Sequence, residues 1–467
     1  MRFGRLATTC FATVLLGFSA CHYQGPTNER FQAVKQAIEA TPENVEPSPA
    51  ADFFSQTADA PLSPVPLESL VERAVEENPE IDQARLEVAA AGYQIELAHS
   101  LPDPMLGTTT QLSPVQTAAG QQDFGLAISQ KVIRRNKRQT RALVAENRLN
   151  GARAKLKSIR QQITGKISST YYELGFVQAC LEVLNEDKKE LQLINSIVDR
   201  RFRILREATQ QETLQVQVSI SRLESEIARY RQSQRTLVAR LVRLTHLKPG
   251  TNLTVQPLPQ NIAPKKELDR LIAEAIQNNP ELHSQLFEIR QKRDLAELAN
   301  LNSQPDYTVG INWISTANNG LSPFANGQDS FMLTLGMNLP VYRNRIDAEM
   351  QEARIRTLVA SKKYESLKDE MAELVTEQIL GLETTNNNLI LLRNEMIPKQ
   401  KLVWDQSLKD YELGKTDFLQ MIENWRALLQ YRIMEQRMVA DLHKTLAELA
   451  QTTGASLESS DDSISQP

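Results

Sequence analysis

Cysteine is nearly absent, with three in 467 residues at positions 10, 21 and 180. Cys10 falls inside an N-terminal export signal and Cys21 at its end, which leaves Cys180 as the only thiol of the mature body. Neither a disulfide framework nor a cysteine metal site can then form within one chain. The five histidines, His22, His99, His246, His283 and His443, show no ligand spacing and read as surface or packing residues. No nucleophile and base, phosphate loop or metal cluster stands at recognisable spacing, so no catalysis, cofactor or metal is expected. Beyond the N-terminus there is no run of about eighteen apolar residues, and hence no expected transmembrane helix. A net charge of -4 gives no basic footprint for nucleic acid. Aromatic residues make up 6% and charged residues 24%, proportions that suit long helices better than several compact cores.

Both ends of the chain have a simple reading. Residues 1–20 are an export signal, with Arg2 and Arg5 ahead of an apolar stretch from Leu6 to Phe18. Phe18-Ser19-Ala20-Cys21 resembles a bacterial lipobox, which would make Cys21 a lipidated N-terminus. Phe18 stands where leucine is usual, so ordinary cleavage is the alternative. Residues 21–66 are a proline-rich tether, carrying seven of 21 prolines from Pro26 to Pro66, with one helix-like piece at Glu29 to Ala40. The tail, 454–467, is polar and acidic and is expected to be disordered.

Between these ends the chain is duplicated. Leu70-Val71-Glu72-Arg73-Ala74-Val75-Glu76-Glu77-Asn78-Pro79-Glu80-Ile81 returns 201 positions later as Leu271-Ile272-Ala273-Glu274-Ala275-Ile276-Gln277-Asn278-Asn279-Pro280-Glu281-Leu282. Each copy, 67–260 and 261–453, runs from a short helix through a strand pair into a very long helical stretch. No proline occurs between Pro114 and Pro249. From about Asn136 to Asp199, apolar residues recur at steps of three and four, as a coiled-coil seam requires. That stretch alone makes a rod of roughly 95 Å. Further rods are expected at Thr213 to Thr245, Ile346 to Leu413 and Asp417 to Leu449, with a kink or join at Pro398.

The strands are expected at about 105–132 and 306–340. Tyr307, Val309, Ile311 and Trp313 alternate with small or polar residues, as do Phe331, Leu333, Leu335, Met337 and Leu339, and Phe124, Leu126 and Ile128. Met105 to Leu112 alternates poorly. Ser113 to Gly120 and Ala317 to Gln328 read as surface loops. One apolar face and one small or polar face fit a barrel wall between lipid and water, or a half-buried hairpin on a soluble sheet. Four strands cannot close a barrel alone, so a barrel requires several copies of the chain. Arg135-Asn136, echoed by Arg343-Asn344, marks the passage from pleat to helix, with helix capping by asparagine as a compatible reading.

In this order, and duplicated, the elements resemble the outer-membrane efflux protein family, the TolC-like exit ducts of Gram-negative bacteria. The motifs that carry the resemblance are the repeated Asn-Pro-Glu helix, the strand-to-helix passages Gln130 to Arg138 and Asn338 to Arg345, and Tyr411-Glu412-Leu413-Gly414-Lys415-Thr416-Asp417-Phe418-Leu419. The resemblance implies a mostly α protein with a small transmembrane β-barrel part: a homotrimer whose twelve strands, four per chain, form a barrel in outer-membrane lipid and continue into an α-helical barrel through the periplasm. It implies no catalytic site, a periplasmic adaptor and an inner-membrane pump as partners, and adaptor docking at the tip turns between paired rods. Gly414, Lys415 and Thr416 would form one turn, and Arg206, where many relatives have glycine, the other. Glu212 and Tyr411 match members of a polar network that holds the periplasmic gate closed, and Thr416 falls where a linking arginine would be. An acidic ring would fall on Gln420 and Glu423, with one carboxylate missing. Glu423 in threes would favour cations, or it is simply a solvated helix face.

The expected function is a passive exit duct for efflux in the outer membrane of a Gram-negative-type bacterium. The alternatives are type I secretion and a non-conducting, lipid-tethered coiled coil of the envelope.

Overall fold

The computed structural model describes residues 64–206, 208–259 and 268–454. The signal at 1–20, the lipidation site Cys21, the tether up to residue 63 with its helix-like piece, and the tail from 455 lie outside the described residues.

Each half begins with a pair of helices where the sequence pattern suggested one: α1 (Leu67–Glu77) and α2 (Pro79–His99), then α5 (Leu268–Asn278) and α6 (Pro280–Leu301). The repeated Asn-Pro-Glu is the joint between them. Proline occupies the first turn, where its missing N–H costs nothing. The preceding asparagine caps the second helix: Asn78 accepts from the Glu80 amide at 2.8 Å and Asn279 from the Glu281 amide at 2.8 Å. Both asparagines are buried because each also donates to the end of the last rod of its own half. Asn78 reaches the Leu244 carbonyl at 2.7 Å and Asn279 the Thr452 carbonyl at 3.3 Å.

The strands β1 (Met105–Thr117), β2 (Gly120–Val132), β3 (Tyr307–Thr316) and β4 (Ser330–Met337) make one antiparallel sheet in the order β1-β2-β3-β4. The central β2·β3 pairing joins the two halves. Leu126 stands opposite Trp313, and Trp313 opposite Phe331, so the apolar parity holds across β2, β3 and β4, while β1 sets Thr108 and Thr110 opposite Leu126 and Phe124. The expected loop at Ser113 to Gly120 is corrected: Ser113 to Thr117 belong to β1, and only Ala118 and Ala119 turn. The ladder is broken between Thr110 and Val115, around Pro114, which has no amide to give it. The Ala317 to Gln328 loop lies between β3 and β4 as expected.

The rods are α3 (Arg135–Arg200), continued by a π-helical turn at Arg201–Leu205, α4 (Gln210–Leu244), α7 (Arg343–Leu391) and α9 (Phe418–Thr453). At 66 residues α3 is roughly 100 Å long. Before Pro398 a second π turn, Leu392–Met396, leads into α8 (Ile397–Glu412). The Ile397 amide bonds back to the Leu392 carbonyl, and the wider turn accommodates the donor that proline lacks without ending the rod. Asparagine capping at the strand-to-helix passages is not found. Arg134 and Tyr342 hold the cap positions without a side-chain bond, and Asn136 and Asn344 lie inside the first turns.

Packing places α2, α3, α6 and α7 side by side in that order, with α2 and α7 at the margins. Farther along the rods, α3 pairs with α4 and α8 with α9, and α9 lies against α3. Leu184, Leu191, Val198, Val216, Trp404, Phe418, Met421 and Trp425 form the core of that far end.

Candidate functional site

The far ends of the rod pairs turn within reach of one another. In the first turn Arg206 takes a left-handed conformation, φ +54°, and its amide bonds back to the Arg201 carbonyl. This is the conformation glycine adopts without steric cost, here imposed on a residue with a Cβ. Thr209 then caps α4 in a reciprocal box. Its hydroxyl accepts from the Glu212 amide at 3.3 Å, and the Glu212 carboxylate accepts from the Thr209 amide at 3.3 Å. In the second turn Gly414 carries the left-handed residue at φ +72°. The Gly414 amide returns to the Tyr411 carbonyl at 3.0 Å and the Lys415 amide to the Asp410 carbonyl at 2.7 Å.

Tyr411 joins the two turns. Its hydroxyl donates to Glu212 Oε2 at 2.7 Å, so two residues 199 apart in sequence, matched separately to a polar network, do meet. Burial first, and then the Glu212 carboxylate, push the Tyr411 phenol above its ordinary pKa, so it stays a donor at any physiological pH. The cation of this cluster is Arg201. Its guanidinium lies 4.6 Å from the centre of the Tyr411 ring and donates to the Tyr411 carbonyl. The family resemblance puts the linking cation's position at Thr416. Thr416 is half-buried and Lys415 exposed, and the cation on Tyr411 comes from the opposite hairpin. Among many arginines of similar spacing in α3, nothing local distinguishes Arg201; only the turn geometry selects it.

Gln420 and Glu423 stand on the exposed face of α9, turned away from Phe418, Met421 and Trp425. Gln420 reaches Asn424 Oδ1 at 3.4 Å, and Glu423 makes no hydrogen bond or ion pair among the described residues. Next to them, Arg426 donates to the Ser219 hydroxyl at 3.3 Å, tying α9 to α4.

Three further features were not anticipated. Asp187 on α3 is fully buried, with Arg432 Nη1 of α9 at 3.6 Å. Burial lifts its carboxyl to about 6 against the pull of Arg432. At the sheet end of α3, Lys137 is buried against Asp306 at 2.9 Å and the Gln304 carbonyl at 2.7 Å, locking the strand-to-helix passage of the first half to the segment that enters β3 in the second. The single thiol of the described residues, Cys180, is buried, and burial pushes it up to about 12. It is therefore a packing residue rather than a nucleophile.

The profile of the outer membrane efflux protein family matches residues 70–245 and 271–455. Among solved structures, the outer-membrane channel OprN is similar at 14% identity, with 84% of this chain and 90% of that chain covered and a TM-score of 0.71. VceC of Vibrio cholerae, an outer membrane protein, is similar at 16% identity, over 84% of this chain and 97% of its own, with a TM-score of 0.69. CusC, whose structures describe transmembrane channel formation, is similar at 14% identity over 86% and 96%, with a TM-score of 0.71. A search of curated proteins by sequence finds no match.

Proposed function

We propose, from the premise that the chain belongs to the outer membrane efflux protein family, that three copies assemble into a passive exit duct through the outer membrane and into the periplasm. The supporting observation is a pair of open margins. The sheet ends on unpaired edges at β1 and β4, and the row of helices ends at α2 and α7. Neither margin is finished as a soluble surface. Leu86 and Leu97 are exposed on α2, and Ile355 and Leu358 on α7. A sheet edge cannot face hydrocarbon, because each unpaired backbone group costs several kcal/mol there. Rotational symmetry removes both edges at once by setting β4 of one copy beside β1 of the next and α7 beside α2. Two copies would give about eight strands, a barrel filled by its own side chains, whereas three leave a bore.

In this reading the Tyr411, Glu212 and Arg201 cluster is the latch of a periplasmic gate. The turns at Arg206 and at Gly414, Lys415 and Thr416 are the adaptor's docking tips, and an inner-membrane pump supplies the cargo. Gln420 and Glu423 project toward the constriction. Acylation at Cys21 adds an anchor in the same membrane.

Sedimentation of the purified protein in detergent tests the assembly: a trimer is expected, and a monodisperse monomer overturns the reading. Planar-bilayer recordings test the bore. A trimer that never conducts, even with the latch broken, belongs instead to a structural coiled coil.

A further inference from the structure

Between Asp123 and Glu146, and again between Asp329 and Asp347, the chain contains no acidic residue. These windows cover β2 from Phe124 onward, all of β4, and their passages into α3 and α7. Six cations crowd into Lys131 to Arg141, and Arg343 and Arg345 open α7. Several are consumed within the chain. Lys137 pairs with Asp306, Arg134 bonds the Pro305 carbonyl at 3.1 Å and covers the Tyr307 ring, and Arg345 pairs with Glu349 at 2.9 Å. Arg138 donates to the His99 carbonyl at 3.1 Å, Arg141 is half-buried on α3, and Arg135 and Arg343 remain at the helix starts. Both are exposed, and neither guanidinium makes a hydrogen bond or ion pair among the described residues. Their own helices gain nothing from them, since a first turn favours negative charge.

The surroundings indicate what they serve. Along β4 the odd-numbered residues form the apolar face, and that parity outlasts the strand: Leu339 and Val341 are each 66% exposed, followed by Tyr342 at 74% and then Arg343. The first half borrows its tyrosine from β3. Val132 stands opposite Tyr307 at the same end of the sheet, and Arg134 and Arg135 follow. Apolar wall, then tyrosine, then arginine is the sequence of depths at a bilayer's polar margin. Lys131 stands on the other register, opposite Thr308, whose row carries small residues such as Gly336 and is the one the duct reading turns to the bore.

We propose that Arg135 and Arg343 form a ring at the helix-side margin of the sheet that binds the phosphates of anionic glycerophospholipids in the adjoining leaflet. The proposal rests on the duct reading, because it needs the sheet to span a bilayer. Charge complementarity supports it: with Asp306 taken up by Lys137, the margin keeps more cations than the exposed Asp103 balances, and, continuous with the lipid-facing wall, it meets headgroups of net negative charge.

The test reconstitutes the full-length oligomer in vesicles of phosphatidylcholine alone and of phosphatidylcholine mixed with phosphatidylglycerol. The expected result is a thermal midpoint several degrees higher in the anionic vesicles, a difference that shrinks as salt is raised. The double variant Arg135→Gln, Arg343→Gln loses that difference and keeps the wild-type midpoint in phosphatidylcholine. Lys131→Gln, on the bore side, retains the difference. Equal wild-type midpoints in the two lipids overturn the proposal. So does a double variant that falls equally in both, which would make the arginines a contact between subunits. Wild-type protein that inserts in neither vesicle overturns the duct reading as well, whereas insertion with indifference to headgroup charge defeats only the lipid ring.

Discussion

At the residue scale, a few positions hold energy that local rules alone would not allow. Asp187 is the clearest. Its folded pKa, about 6, lies above the ordinary carboxylate value near 4, so its ionised form opposes folding at neutral pH. The native state therefore binds this proton more tightly than the unfolded state, and stability rises as pH falls through about 6 toward 4. The shift corresponds to a cost on the order of 3 kcal/mol above pH 6. Asp187→Asn should raise the thermal midpoint at pH 7.5 and remove that component of its pH dependence, which calorimetry across pH 5 to about 7.5 would read. Arg206 stores strain of another kind. Glycine there should stabilise the first turn by about 1 kcal/mol, the cost of a left-handed residue with a Cβ, measurable as a shift in denaturant midpoint.

At the element scale, the repeated asparagine performs two tasks, capping the second helix of each half and holding the end of that half's last rod. Asn78→Ala removes a cap bond and leaves the Leu244 carbonyl without its donor, so a loss of about 2 kcal/mol is expected, above the usual 1 for a cap. Asn279→Ala should cost less, since its bond to Thr452 is longer. Denaturant unfolding of the two variants checks the ranking. The π turns belong to this scale too. One precedes the tip at Arg206 and the other precedes Pro398, so α3 and α7 each end in a turn that shifts the helical phase.

At the scale of the whole molecule, the latch and the bore become one question. Tyr411→Phe removes the donor to Glu212 while leaving the ring under Arg201, and should cost about 1 kcal/mol and raise the open probability in planar bilayers. An unchanged open probability would make Tyr411 an ordinary packing residue. Glu423→Gln should lower cation selectivity, read as a shift in reversal potential, if three copies of this exposed carboxylate surround the constriction. An unshifted potential returns Glu423 to a solvated helix face.

Local residue pattern suffices for the periodic elements: rods of step three and four, strands of step two, and the duplication that orders them. Such patterns are local, repeated many times, and survive single exceptions, so α3, α7 and the parity of β2, β3 and β4 could be read directly. The pairing of Tyr411 with Glu212 was legible only through resemblance to a family. Tertiary structure alone decided that Arg201 rather than a residue at 415 or 416 stacks on Tyr411, 210 positions away, and that Asp187 is sealed against Arg432. It also decided that Asn78 finds the end of α4, and that Ser113 to Thr117 continue a strand past a proline. Each depends on where two distant segments come to rest, and a single side chain leaves no periodic trace of its partner.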